Sequence, residues 1–325
     1  MGDGNVFKIP WRRTADVCLE DSVTRFALAV DVGGTKIEAA LVSEQGAVIE
    51  GTRSRRATGP TATPDDMRAA IAAVVDHALS SDAARGGTLL GAGVGSAGPI
   101  DKTTGTIHPV NMVQLRGFPL EESVRNAASA SWGSDVHTVF AHDGGCLALA
   151  ESWLGATRDA RVSFSMVVST GIGGGFVHDG RYAPGASGNG GHIGQMRGGE
   201  GLRLEPTASG PASAAWARTQ GWTGETGEDL ARDAAAGDPI ARAAIERSAR
   251  AVGAALADAV TLVDVDMVAI GGGFSHVSED YVDLVHAALV ENAVLDYAAR
   301  VQVVRAGLGG DGPLIGAAAL ILRQG

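Results

Sequence analysis

A short apolar run that ends in an aspartate and two glycines constrains the fold of this chain more than any other feature. Residues 26–30 are strand-like, and they are followed directly by Asp31, Val32, Gly33, Gly34, Thr35 and Lys36. Strand-like residues return from Ile37 to Val42, so the segment predicts a hairpin. A P-loop or a dinucleotide-binding fingerprint would place a helix after the glycines, and neither spacing is present.

The predicted turn has the chemistry of a phosphate site. Glycines let backbone N–H groups approach an anion closely, while Thr35 adds a hydroxyl and Lys36 a cation. An ordinary glycine hairpin without a ligand accounts for these residues equally well.

Composition excludes several classes of protein. The 325 residues are 45% hydrophobic, which supports a globular core, and the net charge of -11 disfavours nucleic acid as a partner. The two cysteines, Cys18 and Cys146, are isolated, as in a reducing compartment. No apolar run reaches the length of a bilayer span, and residues 1–25 carry charges where a signal peptide is apolar. We therefore expect a cytoplasmic protein that binds neither nucleic acid nor membrane.

The strand, glycine turn and strand recur in the second half of the chain. Residues 165–169 lead into Thr170, Gly171, Ile172 and three glycines, Gly173 to Gly175, before strand-like residues return. Helices and strands alternate after each hairpin, which predicts two duplicated α/β lobes that face a central cleft. We expect an extension over 1–25, a first lobe over 26–140 that is joined by the C-terminal helix 313–325, and a second lobe over 141–312.

Ligands of such folds bind at the carboxyl ends of strands, where these turns lie. The first turn and the Thr170, Gly171 and Gly173 turn could hold the phosphates of a nucleotide between them. A third turn, formed by Gly271, Gly272 and Gly273, could hold the purine or the ribose. Asp31 is a candidate Mg²⁺ ligand. The alternative is that its carboxylate accepts hydrogen bonds from its own turn.

Asp143 is the candidate general base, because it stands between a predicted strand and a predicted helix. An aspartate that only caps the helix would occupy the same position, and the two roles are compatible. Glu205 lies in a glycine-rich stretch and could fix sugar hydroxyls, although a solvated charge fits almost as well. His192 and Gln195 share that stretch and could equally be surface residues.

The sequence as a whole resembles the ROK family of sugar kinases and repressors, which has the actin-like ATPase (ribonuclease H-like) fold. The matching segments, in order, are 31–36, 93–101, Asn111, 115–120, Asp143, 169–175, 191–196, 204–205, 270–273 and 309–318. The resemblance implies ATP and Mg²⁺ as cofactors and Asp143 as the base that activates a primary hydroxyl. It further implies Glu205 and Asn111 as sugar ligands, and a homodimer.

The chain departs from the family at the end that would hold the acceptor. His142 stands where the family usually has Asn, His192 where it has a sugar-binding Glu, and Gln195 where it has a His that contacts both sugar and zinc. Residues 197–205 hold none of the cysteines that complete the family's zinc site. We therefore predict no structural zinc and include His142, His192 and Gln195 in the acceptor site.

These changes alter the hydrogen-bonding character of the acceptor site, because a carboxylate only accepts whereas neutral His and Gln can also donate. The sequence hypothesis is therefore a kinase for a modified hexose, such as the amino sugar kanosamine, or for a C7 cyclitol of the valiolone type, in secondary metabolism such as antibiotic biosynthesis. Ordinary glucokinase activity is the alternative. A sugar-sensing repressor is less favoured, because residues 1–25 are too short for a helix-turn-helix module. A sensor without catalysis would not need Asp143.

Overall fold

The computed structural model describes residues 24–110, 112–197 and 202–323. In chain order the strands are β1 (Arg25–Val32), β2 (Lys36–Ser43), β3 (Ser54–Ala57), β4 (Thr88–Ser96), β5 (Ile100–Asp101), β6 (Thr106–Ile107), β7 (Thr138–His142), β8 (Val162–Val168), β9 (Ile172–His178), β10 (Arg181–Ala183), β11 (Met267–Gly271) and β12 (Gln302–Arg305). The helices are α1 (Pro64–Leu79), α2 (Leu120–Trp132), α3 (Asp143–Leu154), α4 (Glu205–Ala208), α5 (Gly210–Thr219), α6 (Gly227–Ala235), α7 (Pro239–Val263), α8 (Tyr281–Asn292), α9 (Asp296–Ala299) and α10 (Gly312–Leu322).

Two five-stranded sheets repeat one topology. The first has the order β3-β2-β1-β4-β7 and the second has the order β10-β9-β8-β11-β12. In each sheet the first three strands in sequence form an antiparallel meander, and the last two are parallel to its first strand. The predicted duplicated α/β architecture is therefore confirmed.

Local sequence signals set the ends of several helices. Thr63 accepts a hydrogen bond from the Asp66 backbone, and the Asp66 side chain accepts one from Thr63, so α1 begins with a capping box and Pro64. Asp238 caps α7 through the N–H groups of Ile240 and Ala241. Such caps satisfy backbone donors that have no partner within the helix.

Three apolar clusters hold the molecule together. One joins the first sheet to α1 and α2, and a second joins the second sheet to α5, α6, α7 and α8. The third includes Ala29, Cys146, Leu149, Ala317 and Leu320, and it packs α3 and α10 against the remaining face of the first sheet. Since α3 also packs on β8 and β9, this cluster connects the two sheets.

Two glycine-rich segments of the second half contain short helical turns. The turn after β11 continues into a 3-10 turn (Gly273–His276) rather than directly into an α-helix. The glycine-rich stretch before Gly210 is mostly loop, but it contains a 3-10 turn (Ile193–Gln195) and ends in α4. No helix in the described ranges is long and apolar enough to cross a membrane.

Candidate active site

Hydrogen bonds within the first glycine turn and from Thr58, outside it, stabilise the turn. The Gly33 N–H donates to Lys36 O at 2.9 Å, and Thr58 bonds the turn through its N–H to Thr35 O and its hydroxyl to Gly33 O. Neither Gly33 nor Gly34 has a positive φ, and a Cβ on Gly34 would meet nothing within 4 Å. The fold alone therefore does not require glycine at position 34. The open space over this backbone fits a ligand that approaches the turn closely.

The cation of this turn is already paired. Lys36 Nζ lies 2.9 Å from Glu38 Oε2, and Arg53 and Arg55 bind the same carboxylate. Burial alone would raise the pKa of Glu38, but hydrogen bonds from Lys36 and Arg55 hold it below its ordinary value. Arg53 also binds Asp311 at 2.6 Å, which ties the turn before α10 to this cluster. These contacts keep the basic side chains beside the turn.

Asp31 is buried at the end of β1. Burial raises the pKa of its carboxyl from 3.8 to about 7; the Asp143 carboxylate adds to the rise and Lys36 opposes it. Within the described residues the Asp31 carboxylate has no hydrogen-bond partner, so the alternative of a carboxylate tied to its own turn is not seen. A buried carboxylate near a second carboxylate fits a divalent cation, which would favour the ionised form of both.

Asp143 is the first residue of α3. Its Oδ1 accepts the N–H of Gly144 at 2.7 Å, and its side chain remains 49% exposed. His142 precedes it at the N-cap position and makes no side-chain cap. Asp143 therefore bonds its own helix end and keeps a half-exposed carboxylate, and its role as a general base stays a prediction.

A seam of glycines holds this helix end against the second sheet. A Cβ on Gly144 would strike the backbone of Gly174, one on Gly175 would strike Gly144, and one on Gly191 would strike Gly174. A Cβ on Gly145 would strike the Tyr182 ring. The backbones meet directly because no side chain separates them. This seam positions Asp143, and nothing in the local sequence around Asp143 identifies its partners.

The second glycine turn is joined to Glu205. Glu205, the first residue of α4, accepts the Ile172 N–H at 2.8 Å through Oε2. Thr170 is exposed, and a Cβ on Gly173 would meet nothing within 4 Å. A Cβ on Gly171 would approach Glu205 Oε2 to 2.9 Å. The carboxylate predicted to bind sugar thus lies against the turn predicted to bind phosphate.

The three glycines of the third turn have different surroundings. Gly272 has φ +91°, and a Cβ there would strike Val168; Gly271 packs against Ala306. Gly273 borders a cavity of about 380 Å³ between α5, α6 and the 3-10 turn. The cavity is lined by Ser169, Thr170, Gly210, Pro211, Glu225, Thr226, Gly227, Glu228, Ala231, Gly273, Phe274, His276 and Val277. Both apolar and polar residues line it, which suits a flat heterocycle with attached hydroxyls.

Two histidines lie side by side near Asp143. The rings of His142 and His192 are 5.1 Å apart between centroids and tilted by 45°. His192 Nδ1 lies 2.9 Å from Asn189 O, and a Cβ on Gly98 would come within 2.9 Å of its Nε2. Because a carbonyl only accepts, the Nδ1 of His192 carries the proton. The expectation that neutral His192 offers a donor is therefore wrong: its remaining nitrogen, Nε2, is an acceptor.

Gln195 is bonded to an exposed arginine. Gln195 is exposed, and its Oε1 accepts from Arg203 at 3.3 Å, beside a backbone bridge between Arg197 and Arg203. Asn111 lies outside the described residues. No group of three or more His, Cys, Asp or Glu suited to a metal ion occurs in the parts of the chain that the structure describes.

Asn189 is a residue that the sequence analysis missed. Its side chain accepts the Ile100 N–H and donates to Ile100 O, both at 2.8 Å. It therefore joins the loop that carries His192 to strand β5 in the first lobe. No motif in the sequence identified this contact.

The repeated topology defines a two-lobed α/β fold of the actin-like ATPase type, and structures of sugar kinases share it. A ROK hexokinase from Thermus thermophilus matches with a TM-score of 0.75 and 29% identity, over 92% of this chain and 98% of that one. A Streptomyces griseus ROK glucokinase, solved with glucose and AMPPNP, matches with a TM-score of 0.75 and 28% identity, over 92% and 100%.

Sequence relatives agree with the structural neighbours. The N-acetylmannosamine kinase of Escherichia fergusonii is 30% identical over 308 residues, which span 92% of this chain and 98% of that protein. Residues 27–324 match the ROK family. The chain belongs to the ROK family.

Proposed function

We propose that this protein is an ATP-dependent kinase that phosphorylates a primary hydroxyl of a hexose or a hexose-like polyol. The observation that carries the proposal is the position of Asp143, a half-exposed carboxylate at the start of α3, near Asp31 and packed against the second sheet. The kinase relatives over nearly the whole chain support it.

The proposed mechanism assigns each turn a task. The acceptor hydroxyl gives its proton to Asp143 as its oxygen bonds to the γ-phosphorus of ATP, and the bond from that phosphorus to the β-phosphate oxygen breaks so that ADP leaves. The backbone N–H groups around Gly34 and Gly173 stabilise the phosphate oxygens, and the cavity beside Gly273 holds the nucleoside. Asp31 would hold Mg²⁺, which neutralises phosphate charge when bound.

For the acceptor we propose an amino sugar such as kanosamine, with a C7 cyclitol of the valiolone type as the other candidate. The neutral His192 ring presents an acceptor nitrogen, and an amine or a hydroxyl on the substrate could donate to it. Glu205, beside the second turn, is a second acceptor. Both groups therefore favour a substrate rich in donors. Glucose remains the alternative, because it offers hydroxyl donors as well.

A substrate panel tests the acceptor. ATP consumption would be measured with glucose, kanosamine and a valiolone-type cyclitol, and kcat/KM compared. We expect the amino sugar or the cyclitol to be preferred over glucose. A clear preference for glucose would remove the proposal of a modified acceptor and leave the kinase assignment in place.

Asp143→Ala tests the reaction itself. We expect phosphoryl transfer to fall at least about 100-fold, because a positioned base contributes that much or more. ATP binding, followed by calorimetry, should stay within about threefold. The matched control is Asp135→Ala, which removes an exposed aspartate outside the site and should change neither quantity. A variant that transfers phosphate at the normal rate would contradict the assignment of the base, and sugar binding without turnover by the wild type would indicate a sensor.

A further inference from the structure

His142 is buried, and two aromatic rings lie next to it. Its side chain is 3% exposed at the end of β7. The His192 ring lies 5.1 Å away between centroids, and the Tyr182 ring lies 6.0 Å away in an edge-on arrangement. A side chain with so little free surface has almost none to offer to a substrate.

The tautomer of His142 is fixed by one backbone contact. Nε2 lies 2.8 Å from Gly190 O, and a carbonyl oxygen can only accept, so Nε2 carries the proton. The neutral ring then has its lone pair on Nδ1. That atom is 3.8 Å from Asp143 Oδ1, the carboxylate proposed as the base.

We propose that His142 is a positioning residue for Asp143 that also stores the transferred proton, and that it is not a ligand of the acceptor. The inference rests on the proposed kinase function. Asp143 takes the proton when the O–H bond of the acceptor breaks. The new carboxyl O–H bond then breaks, and the proton forms an Nδ1–H bond on His142, which leaves an imidazolium beside a carboxylate. The proton leaves to solvent after the product.

The separation of 3.8 Å between His142 Nδ1 and Asp143 Oδ1 is too long for a hydrogen bond and short enough to close by a small rotation. Asp143 is free to make that rotation, because it is half-exposed and its single local bond is to the adjacent Gly144 N–H. Catalytic hydrogen bonds often shorten only when substrate is bound. A cation formed on His142 would lie beside an anion, which stabilises it.

The other titratable groups packed against the ring do not compete for this role. Burial raises the pKa of the Tyr182 phenol, so it stays neutral. His192 has committed its Nδ1 proton to Asn189 O. In the described residues, Asp143 is therefore the negatively charged group that lies next to the His142 ring.

Kinetics of His142→Gln and His142→Asn test the proposal. The Gln variant can still donate to Gly190 O, so it preserves the loop contact while it removes the proton acceptor. We expect kcat to fall about 10- to 100-fold with the acceptor KM within threefold. The pH dependence of kcat should differ between the wild type and both variants, because the variants lack the ring nitrogen that accepts the proton.

The matched control is His192→Gln, which alters the neighbouring ring and leaves His142 in place. We expect it to raise the acceptor KM and to keep the pH dependence of kcat. If the His142 variants instead raise the acceptor KM and keep that pH dependence, His142 is an acceptor ligand and the proposal is wrong. Circular dichroism would show whether the His142→Asn variant fails to fold. In that case the kinetics of His142→Gln decide between the two roles of His142.

A second measurement does not require turnover. Nitrogen-15 NMR of labelled histidine in the wild-type protein at pH 8 should show the Nε2-protonated tautomer for the signal that His142→Gln removes. An Nδ1-protonated ring would overturn the proposal even if the kinase is active. If Asp143→Ala is fully active while the tautomer is as expected, the proposed base fails and the geometry around His142 stands.

Discussion

Two carboxylates of the cleft occupy unlike surroundings. Asp31 is buried and Asp143 is half-exposed, and the Asp143 carboxylate is close enough to raise the pKa of Asp31 further. Burial penalises the charged form of Asp31, and its neighbour increases the penalty. Such a residue destabilises the folded protein when it is ionised, unless a cation compensates. This cost is typical of a site built for a ligand rather than for stability.

Asp31→Asn tests this cost. The folded-state pKa of about 7 lies above the ordinary value of 3.8, so the carboxyl contributes stability below pH 4 that is lost as pH rises through about 7. The Asp31→Asn variant has no carboxyl to ionise at this position, so it does not lose this stability as pH rises. Relative to wild type, we expect its free energy of unfolding to improve by up to about 4 kcal/mol between pH 4 and pH 8, at about 1.4 kcal/mol per pKa unit.

Urea titrations of both proteins without Mg²⁺ at the two pH values measure this change. Asp135→Asn, at an exposed position, serves as the control and should show no such difference. An unchanged pH dependence in Asp31→Asn would show that the Asp31 carboxyl is ionised in the folded protein at neutral pH.

Side-chain chemistry at the residue scale can be predicted in part from the sequence. Asp31 and Asp143 each end a strand-like run, which is where ligands of α/β folds bind. The position of a histidine proton cannot be predicted in this way, because Asn189 O and Gly190 O set it through the folded loop. The donor role expected for His192 failed for this reason.

At the scale of elements, the glycines of the turns fall into two groups. Gly34 and Gly173 have open space, whereas Gly174, Gly175 and Gly191 are pressed against backbone. The first group fits access for a ligand, and the second group lets two elements meet. The sequence of consecutive glycines does not show which glycine belongs to which group, because the backbone that packs against the second group comes from a distant segment.

Gly34→Ala tests whether ATP approaches the first glycine turn, because we expect this substitution to affect ATP binding and to leave the stability of the fold nearly unchanged. A Cβ at this position meets nothing and the φ is not positive, so we expect the free energy of unfolding to change by less than about 1 kcal/mol. The KM for ATP should rise at least about tenfold, because the methyl group occupies the space of a phosphate oxygen.

Gly59→Ala is the matched control. That glycine also has open space and no positive φ, and it lies beside Thr58, which braces the turn. We expect it to leave the KM for ATP unchanged. Equal KM values for wild type and Gly34→Ala would indicate that the first turn does not contact the nucleotide. Thermal melts and initial rates at varied ATP supply both measurements.

At the scale of the whole molecule, the sequence predicts the duplication because hydrophobic periodicity and glycine turns are local signals. Its two hairpins, the alternating helices and the family resemblance together identify the architecture, and the match over residues 27–324 confirms the family. The contacts that join the lobes are long-range and depend on the packed fold. The proposed lobe boundaries and the homodimer stay predictions.

One such long-range contact is Asn189 on Ile100, which links the loop of the second lobe to the first. His192 is in turn bonded to the Asn189 backbone, so the link fixes the His192 ring, which we propose as part of the acceptor site, relative to the first lobe. Asn189→Ala removes both hydrogen bonds and leaves the Ile100 backbone without these partners. We expect it to cost about 1–3 kcal/mol of unfolding free energy.

The kinetic consequence should be confined to the acceptor side. With His192 less well fixed, the acceptor KM of Asn189→Ala should rise about tenfold, whereas the KM for ATP should stay within twofold because the cavity proposed for the nucleoside lies between α5 and α6. Asn292→Ala is the control, since the Asn292 amide bonds Ala288 O in its own helix. If both KM values rise together in Asn189→Ala, the contact maintains the relation of the whole lobes, and if neither rises, the acceptor site is held by other contacts.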